Sequence, residues 1–113
     1  MTRALLTVLC FIAALAPTAA SAASRPHLDQ SAQQACFEVA FYNGQKAGSS
    51  GRRSAVAYMA QVLERSTTNG ARPLARRVRA ATSTSSQQKA VTAVSRFCVA
   101  GGHPPGPPFF LPR

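Results

Sequence analysis

Met1 to Ala22 is laid out as a cleaved export signal, and that feature sets the size of the folding problem. Met1-Thr-Arg3 carries a positive start, Ala4 to Ala16 is uncharged and apolar, and Pro17 breaks the run. Ala20-Ser21-Ala22 then has the small-x-small pattern that signal peptidase cuts, and Ser21-Ala22-Ala23 fits a cut one residue later. The apolar run falls short of the roughly 20 residues that a spanning helix needs. Of the 113 residues, roughly 90 then remain, enough for one domain at the small end of stable cores. The expected boundaries are a signal over 1–22, a helical domain over 23–102 and a Pro-rich tail over 103–113. The expected location is secreted or periplasmic, with no transmembrane segment in the mature chain.

Export decides how the cysteines are read. Cys10 sits inside the apolar run and leaves with it. Val8-Leu9 before it are not the small residues that a lipidation site wants. Cys36 and Cys98 remain, an even number in an oxidising compartment, and only one pairing exists. A disulfide closing a loop of about 60 residues stabilises a fold by roughly 4 kcal/mol on the chain-entropy account. A reactive thiol pair would favour CxxC spacing, which the chain lacks.

Alanine is abundant, and Val, Ile and Thr form no alternating runs, so the pattern predicts helices and no strand. A first helix is expected from Asp29 to about Lys46, capped by Asp29 or Ser31. Leu28, Ala32, Ala35, Cys36 and Val39 share one face. Phe37 and Phe41 form a second apolar stripe, with Tyr42 near the first, and Glu38 is read as a solvated position. Gly44 and Gly48 offer stops. A second helix, about Arg52 to Ser66 with Ser50 as its cap, buries Val56, Met59, Ala60 and Leu63, and Asn69-Gly70 follows as a turn. Pro73 opens a third helix reaching about Thr82, with Leu74, Val78 and Ala81 inward. A fourth runs from about Ser86 to Ala100 behind Thr84-Ser-Ser-Gln87 or Ser85-Ser-Gln-Gln88 as a capping box. Its inner face is Ala90, Val91, Val94, Phe97 and Cys98, and Gly101-Gly102 ends it. The expected fold is all-α, a small antiparallel bundle of about four short helices with one disulfide, in which Phe37, Phe41, Met59 and Phe97 are core.

The polar residues exclude most chemistry. Asp29, Glu38 and Glu64 are the three acids, and their spacing suggests no pair for general acid–base work. His27 and His103 lie in terminal linkers, so no base is placed beside a serine nucleophile. Zinc needs three or four converging ligands, which two distant histidines do not supply. The expectation is a non-enzymatic protein with no cofactor and no metal site.

Charge is the remaining functional signal. The formal net charge is +10, mostly from arginine. Arg72, Arg76 and Arg79 line the third helix opposite its apolar residues, and Arg77 flanks them. Arg52 and Arg53 open the second helix. If the two faces adjoin, the patch attracts polyanions; otherwise it is the solvated charged face of a basic protein. Arg72, Arg76, Arg77 and Arg79 are the anion-contact candidates. Anionic envelope polymers or lipid headgroups are the expected partners. Nucleic acid is disfavoured, because no recognition module is present and no aromatics interleave with the arginines. The tail His103-Pro-Pro-Gly-Pro-Pro-Phe-Phe-Leu-Pro-Arg113 is read as extended or disordered, either a frayed end or a docking segment with Phe109-Phe110-Leu111 as its anchor.

The signal, the early and late cysteines and the helical content resemble the small exported Cys-helix-Cys helical proteins of GC-rich bacteria. That resemblance implies an extracytoplasmic helical protein and no particular activity. The same layout is similar to small exported helical haem carriers, which gives the alternative expectation: a carrier of haem or another apolar ligand, with an aromatic cavity near Phe37, Phe41 and Tyr58.

Overall fold

The computed structural model of the protein describes residues 27–108. The expected export signal and the Phe109-Phe110-Leu111 anchor lie outside the described residues. Four helices make up the fold, α1 (Gln30–Gly44), α2 (Ser50–Arg65), α3 (Ala71–Ala80) and α4 (Thr84–Ala100), and no strand occurs among the described residues. Short connections turn each helix back on the one before. α1 packs on α2 and α4, and α3 packs on α2 and α4, so the helices close a ring of an antiparallel bundle.

Local chemistry sets each helix end. The Ala32 N–H donates to Asp29 Oδ1 at 2.9 Å, so Asp29 rather than Ser31 caps α1. α1 stops at Gly44, two residues early, because Arg52 Nε donates to the Gln45 carbonyl at 2.8 Å and the Tyr42 carbonyl at 3.2 Å. Its guanidinium also lies 4.3 Å from the Tyr42 ring centroid. A cation at a helix C-terminus offsets the carbonyl dipoles there, and the ring face attracts the same charge. Gly48, at φ +74°, turns the chain so that Ser49, one residue before the expected cap, accepts from the Arg52 N–H and starts α2. Gly70, at φ +88°, occupies the cap position of α3. Helical geometry therefore begins at Ala71, and Pro73 is its third residue rather than its first. The ring nitrogen still falls in the first turn, where an amide would have no helical acceptor. α3 ends at Ala80, before Thr82.

Ser83 caps α4, upstream of both expected boxes. Its Oγ accepts from the Ser86 N–H at 3.0 Å, and its own N–H donates to Ser86 Oγ at 2.9 Å. A serine hydroxyl is long enough to close the reciprocal pair that a glutamine was expected to close. At the far end, the His103 N–H donates to the Cys98 carbonyl and the Gly102 N–H to the Val99 carbonyl. With Gly102 at φ +80° this is a complete Schellman stop.

The core is made of many small side chains and a few large ones. Nine alanines are buried beside Tyr42, Met59, Leu63, Val78 and Val94. Small residues let helices approach closely but remove little apolar area each, so cross-links carry more of the stability. The Cys36–Cys98 disulfide joins α1 to α4 with their Cα atoms 5.7 Å apart. A helical turn further out, Leu28 is buried against Gly101, where an added Cβ would stand 2.5 Å from Leu28 Cγ.

Three burial expectations are corrected. Phe37 is 61% exposed, and Phe97 is only half-buried, so neither is a full core residue. Glu38 is 1% exposed rather than solvated. Every residue from Ala35 to Tyr42 except Phe37 is buried, so this stretch of α1 is covered on nearly all sides and carries Glu38 in with it.

Candidate anion-binding surface

α3 owes its character to an uneven division of its ten residues. Ala71, Ala75 and Val78 are buried and Leu74 is half-buried, while Arg72, Arg76, Arg77 and Arg79 are all exposed. At 3.6 residues per turn the four guanidinium stems fan over roughly 160° of the helix circumference. They do not form one flat row. Arg77 borders a depression with Leu74 and Phe97 toward α4. Arg72 borders another with Thr67 and Asn69 in the α2–α3 loop. Arg79 leans toward α2, where its Nη2 donates to Glu64 Oε2 at 2.8 Å. That pair is about half-exposed on both sides, so it orients Arg79 more than it stabilises the fold.

The two arginines that open α2 have separate fates. Arg52 is turned inward onto the end of α1, as described above. Arg53 stays exposed, donates from Nη1 to the Gly48 carbonyl at 2.8 Å, and lines a groove of about 280 Å³ together with Arg79. Arg53 and Arg79 are 26 positions apart, and the α2–α3 packing brings them to one groove. Sequence reasoning left open whether the two arginine faces adjoin, because periodicity works along one helix at a time. The clue available was that Arg53 lies three residues before Val56 and Arg79 one residue after Val78, each next to a core position.

Acidic residues do little to offset this surface. Glu38 is buried. Asp29 is turned into the loop between α2 and α3, where its carboxylate accepts from the Ser66 hydroxyl at 2.7 Å and the Thr67 N–H at 2.8 Å. Partial desolvation pushes the Asp29 carboxyl up. The bonds from Ser66, the Thr67 N–H, the Ala32 N–H and the Thr67 hydroxyl outweigh it and hold the group well below the usual carboxylate range. Asp29 thus stays ionised, but its charge is spent on hydroxyls and amides. Glu64 is the one exposed acid among the described residues, against nine exposed Lys and Arg.

The aromatic residues of the ligand-carrier expectation lie at different depths. Phe41 is buried, Tyr58 is half-buried with its hydroxyl donating to Gln34 Oε1 at 2.8 Å, and Phe37 borders a depression with His103, Pro104 and Pro105. Tyr42 is buried under Arg52, and His27 and His103 are exposed near opposite ends of the described chain. Among the described residues no group of three or more His, Cys, Asp and Glu could hold a metal ion, and no helix is long and apolar enough to cross a membrane. The disulfide is compatible with an oxidising compartment. No protein-family model, curated protein or solved structure matches this chain.

Proposed function

We propose that the protein is a non-enzymatic, exported helical module that binds anionic polymers or surfaces through α3. The observation that carries this is four exposed arginines on a ten-residue helix, with Arg53 across a groove from the fourth and one exposed acid nearby. Arginine suits this role because its planar fork meets carboxylate, sulfate and phosphate groups with two parallel hydrogen bonds. The fan of side chains favours an extended or laterally mobile anion over a compact one, since no two of the α3 forks need point at one atom. Envelope polymers and lipid headgroups both have that character, and an exported protein meets them. The absence of Trp or Phe among the arginines on the polar face of α3 argues for polymer over membrane insertion.

Retention on immobilised heparin tests this. The wild type is expected to elute at clearly higher salt than a variant carrying Arg72→Ala, Arg76→Ala and Arg77→Ala, because polyanion affinity falls with salt in proportion to the contacts neutralised. All three positions are exposed and alanine favours helix, so the fold is expected to survive. Equal elution of the two proteins would defeat the reading.

A further inference from the structure

We infer that Asn69 is a self-modification site: the backbone nitrogen of Gly70 converts its side-chain amide to a carboxylate, with water as co-reactant. The chain holds two Asn-Gly steps, Asn43-Gly44 and Asn69-Gly70, and both asparagines are exposed. An asparagine side chain readily reaches its own downstream backbone. Glycine has no Cβ to shield the nitrogen that would attack. In sequence the two steps are therefore equally disposed to react.

The fold separates them. Gly44 is buried as the last residue of α1, and its N–H belongs to the helical ladder. Arg52 ties down the carbonyls on either side of it, those of Tyr42 and Gln45. Attack at Asn43 requires that clamped helix end to open. Gly70 is exposed in the α2–α3 loop at φ +88°. Among the described residues its N–H has no acceptor and the Asn69 amide has no hydrogen-bond partner. The bond that spans the pair, from the Ala71 N–H to the Thr68 carbonyl at 3.1 Å, is the one that must give. Loops held so lightly open far more often than buried helix ends.

The step balances without an oxidant or reductant. The Gly70 nitrogen loses its proton and bonds to Asn69 Cγ. The Cγ–Nδ2 bond breaks, and the amide nitrogen leaves with that proton as ammonia. Water then opens the cyclic imide on either side, giving an aspartyl or an isoaspartyl linkage and a new carboxylate. Asn69 and Arg72 line the same depression, and the start of α3 favours negative charge. The new carboxylate thus faces one of the α3 arginines and adds an acid to a surface where Glu64 is the exposed one. Its effect on binding rests on the polyanion reading; the modification itself does not.

Incubating the purified, disulfide-bonded protein in mildly alkaline buffer, then mapping both sites by peptide mass spectrometry, tests the assignment. Asn69 is expected to exchange its amide for a carboxylate at least about tenfold faster than Asn43, in line with the difference in local opening. The rate should rise with pH, because the attacking nitrogen must lose a proton. In the reduced, urea-unfolded chain the two sites should convert at similar rates, and Asn69→Gln should remove the acidic form that cation exchange resolves from the folded protein. No conversion at Asn69, equal rates at the two sites in the folded protein, or the same preference in the unfolded chain would each overturn the inference. Asn69→Asp supplies the aspartyl product directly and is expected to leave heparin at lower salt than the wild type. Unchanged retention of that variant would overturn the link to the arginine surface, whatever the mapping shows at Asn69.

Discussion

The α1–α4 side of the bundle and the α3 side are built on opposite plans. On the first, α1 and α4 are joined by a covalent bond, Leu28 is seated against Gly101, and Asp29 ties the start of α1 to the loop after α2. On the second, α3 is a ten-residue helix with no side-chain cap, held by Ala71, Ala75 and Val78 and one surface ion pair. Structural tension is thus carried where the chain's ends meet, and the exposed charge is carried where little else is asked of the helix. An arginine face gains from that division, because its side chains can move to meet an irregular partner without loosening the core. It also means that substitutions on the two sides should separate stability from binding.

The largest expected effect falls on the cross-link. Replacing both Cys36 and Cys98 with serine should lower stability by about 4 kcal/mol, a large share of the roughly 5–15 kcal/mol available to a small domain. Urea unfolding of the variant, or of the wild type after reduction, measures it. A loss below about 1 kcal/mol would break the contrast, since the α1–α4 side would then owe its stability to packing alone.

Leu28→Ala comes next. The side chain is 1% exposed against Gly101, and truncating such a leucine typically removes about 3 kcal/mol. The complementary change, Gly101→Ala, would push a methyl into Leu28 and should cost on the order of 2 kcal/mol by overpacking. If the two changes together cost less than their sum, the contact is the shared cause, and thermal melts of the four proteins in the cycle decide it.

Asp29→Ala should remove about 2 kcal/mol, as both a helix cap and a charged acceptor are lost. Its pH dependence is the sharper signature. The Asp29 carboxyl lies below its ordinary value in the folded protein, so its contribution is complete above the unfolded value and disappears as protons bind on the way down. Wild-type stability should therefore decline as pH falls below about 4, and Asp29→Asn should flatten that decline. A variant that keeps the full acid sensitivity would place its origin elsewhere.

These effects also show how much of the molecule could be read in advance. The four helices, the all-α bundle and the Cys36–Cys98 pairing were legible, because apolar spacing, glycine stops and an even cysteine count are local or nearly unique signals. Caps were legible to within a residue or two; Ser83–Ser86 was passed over because the search was for a glutamine partner. Phe37 and Glu38 were misjudged for one reason. Helical periodicity says which residues share a face, but not how many neighbours cover it. Asp29 was read only as a cap because its bonds to Ser66 and Thr67 span 37 and 38 positions. In the candidate surface, the α3 arginines were visible as a cluster, whereas the meeting of Arg53 with Arg79 depends on tertiary packing.

The smallest expected effect is the one that separates the two sides most cleanly. Glu64→Gln removes the partner of Arg79, yet both side chains are about half-exposed. Solvent screens such a pair, and the stability change should be under about 0.5 kcal/mol. Binding should respond in the opposite sense. With Glu64 neutral, Arg79 loses its competing carboxylate and the surface gains one net positive charge, so the variant should elute from heparin at slightly higher salt than the wild type. A sizeable loss of stability would show that α3 relies on its ion pair to stay docked. Lower retention would mean that Glu64 holds Arg79 in the orientation a polyanion meets, making this acid a positioning residue of the surface rather than its counterweight.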